Sequence, residues 1–421
     1  TTGKTRRGYL IFSVLTTCAI LFFFKYFNFA DSNLTSLLEA FGVRNPIPKL
    51  KILLPIGLSF HTFQSLSYVF EVYYGRQKSE KNFLVYSLYV MFYPQLVAGP
   101  IERPQNLLHQ FREHHTFDIA RVCDGLKLMA WGLFKKVVIA DRLSIFVNHI
   151  FESPHKASGP GLVAATVFFA FQIYCDFSGY SDMAIGAARV MGFRLMKNFD
   201  SPYLSQSISE FWRRWHISLS TWFKDYVYIP FGGNRVALPR MYLNLMAVFL
   251  ISGLWHGANW TYIVWGLIHG FYLVFGAVTL STRTRIAEML PAYRGPIRQA
   301  VKTLVTFALV CIGWVFFRAG SLGDAVYILT HLNTGWMRML RPREVLQEFW
   351  DAGLSNFDLM VLAAAILFAL SVERWNSEKG SAKAFFLDLP AWVRISVYSV
   401  AFWGIFIFGV FTKANFIYFT F

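Results

Sequence analysis

The chain has 421 residues, of which 55% are hydrophobic, 18% aromatic and only 15% charged, a balance that excludes an ordinary soluble domain, where about a quarter of the residues carry charge. Forty Lys and Arg against 24 Asp and Glu give a net charge of +16, which in a soluble protein would suggest a nucleic-acid partner. Here the basic residues sit between apolar runs, as with Arg6 and Arg7, Arg103 and Arg112, Arg235 and Arg240, and Arg283 and Arg285. That placement follows the positive-inside pattern and favours anionic lipid headgroups, so membrane lipid is expected and nucleic acid is not.

Apolar runs recur at 9–30, 83–98, 161–175, 241–254, 260–278, 299–317, 357–372 and 392–412. At about 20 residues per crossing they predict roughly nine to eleven transmembrane or re-entrant segments. The runs are too long for barrel strands, and lipid leaves no backbone group unpaired, so the expected fold is an all-α, polytopic helical bundle forming one domain over 1–421. The first span, 9–30, is expected to end near Lys25. Residues 50–74 carry Pro55, Gly57, His61, Gln64 and Glu71; that polarity predicts a bent helix facing protein rather than lipid. The 83–100 segment reads as a span closed by Pro94 and Gly99-Pro100. The loop 101–118 holds His109, His114 and His115 and reads as a solvated face rather than a metal site.

Residues 119–150 form a long helix with Lys135, Lys136, Asp141 and Arg142 near its middle. In 161–192, Asp176 and Asp182 lie in an apolar stretch at a spacing of six, which puts them on different helical faces and argues against a paired-carboxylate engine. Two readings stay open for them: capping around a kink, or the lining of a polar cavity. Residues 202–229 mix Trp and Tyr with Arg, Lys, Glu and Asp, and fit an interfacial amphipathic segment with its aromatics at headgroup level. FGGNR at 231–235 is a turn without P-loop spacing. The four cysteines, Cys18, Cys123, Cys175 and Cys311, are isolated and read as small apolar residues. Residues 319–356 make the longest polar connection, and 413–421 are a short aromatic tail.

The 241–278 hairpin is the segment that points to chemistry. Both of its ends are basic, which places them in the cytoplasm. From Tyr242 to His256 is fourteen residues, about 21 Å of helix, so His256 lies past the midplane of a core about 30 Å thick. Gly257-Ala258-Asn259 then turns the chain back. An ionisable group at that depth is expensive and marks a functional site, and imidazole is suited to moving protons near neutral pH. His216 belongs to the charged segment and is expected at a different depth, although a bent or re-entrant fold would bring the two histidines closer. His61 and His269 read as packed residues bonded to carbonyls.

Several stretches resemble the membrane-bound O-acyltransferase family, in its bacterial AlgI-like branch. They are PIGLSFHTFQSLSYVFEVYYG (55–75), YPQLVAGPIERP (93–104), GLFKKVVIADRL (132–143), QIYCDFSGYSDMAIG (172–186), NFDSPYLSQSISEFWRRWHISLSTWFKDYVYIPFGGNR (198–235), LWHGANWTYIVWGLIHG (254–270), GWVFFRAG (313–320) and the ending FIYFTF. The resemblance implies a ring of helices around a thin centre, with a funnel on one side and a tunnel from the other. It assigns the family's two signature histidines to His216 and His256, with His256 catalytic. His61 and Glu71 depart from the aromatic and Asp that relatives often carry there. Relatives also carry apolar sequence ahead of the part matching Thr1, so the chain is expected to be N-terminally trimmed.

On this reading His256 is the general base that passes an acetyl group from cytosolic acetyl-CoA towards hydroxyls of an exported, alginate-like polysaccharide, in a bacterial inner membrane and with a periplasmic partner transferase. Trp255, Asn259, Asp176, Tyr180 and Asp182 are candidates for the tunnel lining, and Trp255 and Asn259 also for oxyanion donors. Arg213, Arg214 and Lys224 are candidates for contacts to CoA phosphates. No tightly bound cofactor and no metal are expected. The same motifs would serve D-alanyl or peptidoglycan acyl transfer. A solute transporter or channel is the other class, though no inverted repeat of hydropathy supports it.

Overall fold

The computed structural model describes residues 3–289 apart from 54, 56 and 98, and then 295–337, 341–378 and 390–411. The aromatic tail at 413–421 lies outside the described residues. Every regular element is helical among those described. Among the described residues, seven helices are long and apolar enough to cross a membrane.

Helix α1 (Gly3–Ala40) does not stop at Lys25. A π-helical turn, Phe22–Tyr26, carries it onward. α2 is Leu58–Tyr73 and α3 is Phe83–Val90. The 83–100 segment is therefore not a full span. Its helix ends after eight residues, and the chain folds back so that the Tyr89 hydroxyl donates to the Glu102 carbonyl (2.9 Å). Gln64 on α2 donates to the Tyr89 carbonyl (2.6 Å). The polarity of 50–74 thus serves a backbone need: irregular chain buried among apolar groups requires partners.

α4 occupies residues 119–152, with a π-helical stretch at Lys135–Ala140, and α5 is Gly159–Met191. α5 is the central helix: 72% of its most apolar window is buried inside the protein, against none for α1. Ser158 caps its start by accepting from the Gly161 N–H (3.1 Å), and Gly192 ends it with φ +99°, a left-handed conformation that glycine adopts without strain. α4 and α5 meet along facing glycines. A Cβ on Gly132 would lie 2.4 Å from the Gly179 carbonyl oxygen, and one on Gly125 2.7 Å from that of Gly186. Small residues let two backbones approach this closely.

This contact answers the open question about Asp176 and Asp182. α5 runs unbroken through both, so they mark no kink. Asp176 pairs with Lys136 (2.8 Å) and Asp182 with Lys135 (2.7 Å), while Lys136 also reaches Asp141 (2.8 Å). They belong to a buried ion-pair network between α4 and α5.

α6 (Ile208–Arg214) and α7 (Ile217–Phe223) follow, the latter prolonged by a π-helical Lys224–Tyr228. The aromatics of the 202–229 segment face protein. Phe211, Trp212, Trp215, Trp222 and Tyr226 are all buried in the protein core. α8 (Leu238–His256) and α9 (Trp260–Val278) form the expected hairpin, with Asn259 capping α9 by accepting from the Thr261 N–H (3.1 Å). α10 (Gly295–Arg318), α11 (Asn356–Glu378) and α12 (Ala391–Phe408) complete the bundle. The 319–356 connection contains two short helices, Leu322–His331 and Pro342–Asp351. Its Glu348 accepts from the Ser158 hydroxyl (2.6 Å).

Candidate active site

α2 and α7 run parallel to each other, both starting at the level of the α8 end. Phe60 lies near Trp255, Phe63 stacks on Trp222 (4.0 Å), and Phe70 stacks on Tyr226 (5.1 Å). His216, at the start of α7, therefore sits at the deep end of this pair rather than at the surface. It is fully buried and close enough to His256 for the two imidazoles to interact electrostatically. Of the two arrangements expected, the structure shows the closer one: the kink between α6 and α7 carries His216 to the end of α8, where Phe60 lies against both His216 and Trp255 (6.3 and 5.8 Å).

That kink is strained. His216 adopts φ +44°, ψ +56°, a left-handed conformation that costs a non-glycine residue on the order of 1–3 kcal/mol and persists only where its surroundings impose it. Phe177 packs edge-on against the ring (4.6 Å), and Asn198 supplies the polar contacts. Its carbonyl accepts from the Ile217 N–H (2.9 Å). Its side-chain Oδ1 accepts from the Ser218 N–H (3.2 Å), the Ser218 hydroxyl (2.9 Å) and His216 Nδ1 (3.1 Å), and its Nδ2 donates to Ser181 on α5 (3.1 Å). His216 Nε2 is buried and makes no hydrogen bond among the described residues.

His256 ends α8 inside an aromatic box. Its ring lies 4.8 Å from Trp255, 4.9 Å from Trp265 and 5.3 Å from Phe317, each edge-to-face. Trp255 stacks in turn on Phe63 (4.8 Å), and its indole N–H is buried without a hydrogen-bond partner. His269 is also buried, but its partner is not a carbonyl: Nδ1 accepts from the Trp212 indole (3.3 Å).

The remaining candidates divide. Trp255 stays at the site, and Tyr180 is half-buried against the main core. Asn259 is committed elsewhere, capping α9 with Oδ1 and donating to the Gly320 carbonyl with Nδ2 (3.4 Å). Asp176 and Asp182 are neutralised by lysines, as above. Arg213 is exposed and donates to Ser209 (3.0 Å), Arg214 is paired with Glu210 (2.8 Å), and Lys224 is exposed. His109 and His114 are exposed, while His115 bonds to the Gln110 carbonyl (2.8 Å). Among the described residues no group of His, Cys, Asp or Glu is placed to hold a metal ion.

A polar cavity of about 540 Å³ lies in this loop region, lined by Glu102, His115, Arg121 and Arg194 among others. Glu102 is fully buried at its edge. Burial pushes its carboxyl up to about 7, against the opposing effect of its bonds from the Met196 N–H and the Asn106 amide.

Two functional residues escape a reading by motif. Asn198 opens the quoted 198–235 stretch, yet nothing in its spacing ties it to His216. Lys25 was visible only as a lone charge in an apolar span, and its partners lie more than 200 residues away.

A family model described as MBOAT, membrane-bound O-acyltransferase family, matches residues 6–316. A protein named probable alginate O-acetylase AlgI from Pseudomonas aeruginosa is 44% identical over 320 residues, covering 76% of this chain and 59% of that protein. Its namesake from Pseudomonas syringae pv. tomato is 40% identical over 396 residues, covering 92% and 72%. A peptidoglycan O-acetyltransferase from Helicobacter pylori is 35% identical over 350 residues, covering 77% and 64%. The chain thus spans 59% of the length of the first of these relatives. With a family match across most of its length, and with both signature histidines gathered at one buried site, this chain is a member of the membrane-bound O-acyltransferase family.

Proposed function

We propose that this protein is a membrane O-acetyltransferase of a bacterial inner membrane, which uses cytosolic acetyl-CoA to acetylate hydroxyls of an exported, alginate-type polysaccharide, together with a periplasmic partner transferase. The observation that carries the reading is His256 at the buried end of α8, in an aromatic box, with His216 beside it. A dry, aromatic setting keeps an imidazole neutral and so able to accept a proton. His256 would take the proton of the acceptor hydroxyl as its oxygen attacks the thioester carbonyl. The C–S bond then breaks, the departing thiolate takes the proton from the imidazolium, and an acetyl ester and free CoA thiol are left. The indole N–H groups of Trp255 and Trp265, whose rings both flank His256, are candidate donors for the oxyanion. The relatives named for alginate and peptidoglycan O-acetylation support acetyl as the group transferred.

The test compares wild type with His256→Ala in detergent, measuring free CoA released from acetyl-CoA with and without polysaccharide. General-base loss predicts a fall of about 10²–10⁴-fold in kcat. Equal release by a folded His256→Ala protein removes His256 from the chemistry.

A further inference from the structure

We propose that Lys25 and Tyr26 are positioning residues that fix the depth and orientation of His256 by holding the end of α8. The inference rests on the reading of His256 as the base.

The end of a helix leaves its last carbonyls without intrahelical partners. A glycine in the left-handed conformation commonly closes such an end. Gly257 does not do this: its φ is −163°, extended, and its N–H makes only a long bond to the Gly253 carbonyl (3.5 Å). The partners come from α1 instead. The Tyr26 hydroxyl donates to the Leu254 carbonyl (2.6 Å), and the Lys25 ammonium donates to the carbonyls of both Trp255 and His256 (2.8 Å each). Three successive terminal carbonyls are thus taken by two adjacent side chains.

Adjacent residues on a regular α-helix point about 100° apart and do not share a target. Here they do, because Lys25 and Tyr26 end the π-helical turn Phe22–Tyr26. A π turn widens the helix locally and re-aims its side chains, and such turns recur at functional sites. The ammonium also lies 6.0 Å from the centre of the Trp255 ring, and a cation at a helix C-terminus is favourably placed. One turn further along α1, Phe29 packs on the Trp260 ring (5.9 Å), and a turn beyond that Asn33 accepts from the Trp260 indole (2.9 Å). α1 therefore grips both flanks of the turn at 257–259.

A lysine at this depth carries a solvation cost that a purely apolar contact would avoid. Its return is positional. A displacement of about 1 Å can cost on the order of 10²-fold in rate, and Lys25 holds the carbonyls of both Trp255 and His256.

The test measures CoA release by Lys25→Met, Lys25→Arg and Tyr26→Phe proteins, alongside hydrogen–deuterium exchange of the 254–262 region. Lys25→Met should lower kcat about 30- to 100-fold while KM for acetyl-CoA stays within about twofold, since positioning acts on the chemical step. Lys25→Arg, which can still donate to both carbonyls, should recover much of that loss, a rescue that simple packing would not give. Tyr26→Phe removes one hydroxyl and should cost several-fold. Amides at 257–262 should exchange faster in Lys25→Met. A folded Lys25→Met protein with wild-type kcat overturns the proposal. If Lys25→Met does not fold, unchanged kcat in Tyr26→Phe overturns it. Absence of turnover in wild type would count against the acetyltransferase reading, and the exchange data would then decide this proposal alone, with unchanged protection sinking it.

Discussion

Asn198 Oδ1 lies 3.1 Å from His216 Nδ1, and this contact decides which nitrogen of the imidazole carries the proton. The amide orientation is fixed independently, because the same atom accepts from the Ser218 N–H (3.2 Å), which can only donate. An amide oxygen can only accept, so Nδ1 bears the hydrogen and Nε2 keeps its lone pair. Removing this orienting contact should weaken His216 as a second participant without touching His256. Asn198→Ala is expected to lower kcat about 10- to 100-fold, the usual scale for a residue that orients a functional histidine. Wild-type turnover in a folded Asn198→Ala protein would mean that the tautomer of His216 is irrelevant to the reaction.

The glycine seam between α4 and α5 makes a prediction about stability. A side chain at Gly132 or Gly179 would strike backbone, not a flexible side chain, at 2.4 and 2.7 Å. The helices must then separate, and the ion pairs beside the seam separate with them. Gly132→Val or Gly179→Val should destabilise the fold by about 1–3 kcal/mol or more. Gly276→Ala on α9 is the control, since its new methyl group meets only Arg283 at 3.8 Å. Thermal unfolding in detergent should drop for the seam variants and stay put for the control.

How far this architecture was legible in the sequence depends on where each residue's partner lies. His256 was readable because its cost, depth and turn are all local to one hairpin. The depth of His216 was not. The alternation of Trp and Phe with Glu210, Arg213, Arg214, Lys224 and Asp225 describes an amphipathic segment equally well whether its apolar side meets lipid or the protein core. The 83–98 run has the composition of a span, and only the contacts of Gln64 and Tyr89 with its backbone reveal a re-entrant hairpin. Asp176 and Asp182 looked isolated because the lysines that neutralise them belong to another helix. Composition reports the environment a side chain prefers, but it does not report which helix supplies it.

The Lys136 ammonium bridges Asp141 and Asp176 at 2.8 Å each. All three groups are largely enclosed, so a charge left alone there is costly. Lys136→Met strips the cation from both carboxylates and should destabilise the protein by roughly 3–5 kcal/mol, the scale for breaking a buried pair. Adding Asp176→Asn removes one of the abandoned charges and should recover part of that loss. A double variant no more stable than Lys136→Met would show that the lysine acts through packing rather than charge.

Glu102 gives the chain a pH dependence whose sign follows from its burial. Its folded-state carboxyl titrates at about 7, raised from 4.5 by desolvation. The folded protein therefore holds a proton there that the unfolded chain has already released between those two values. Stability must then fall as pH rises through this window, and above about pH 7 the ionised carboxylate carries a penalty on the order of 3 kcal/mol. Glu102→Gln keeps an acceptor for the Met196 N–H but has no charge to bury. The variant should unfold at a higher temperature than wild type at pH 8 and at nearly the same temperature at pH 4.5. A difference between the two proteins that does not change with pH would assign the effect to hydrogen bonding rather than to ionisation.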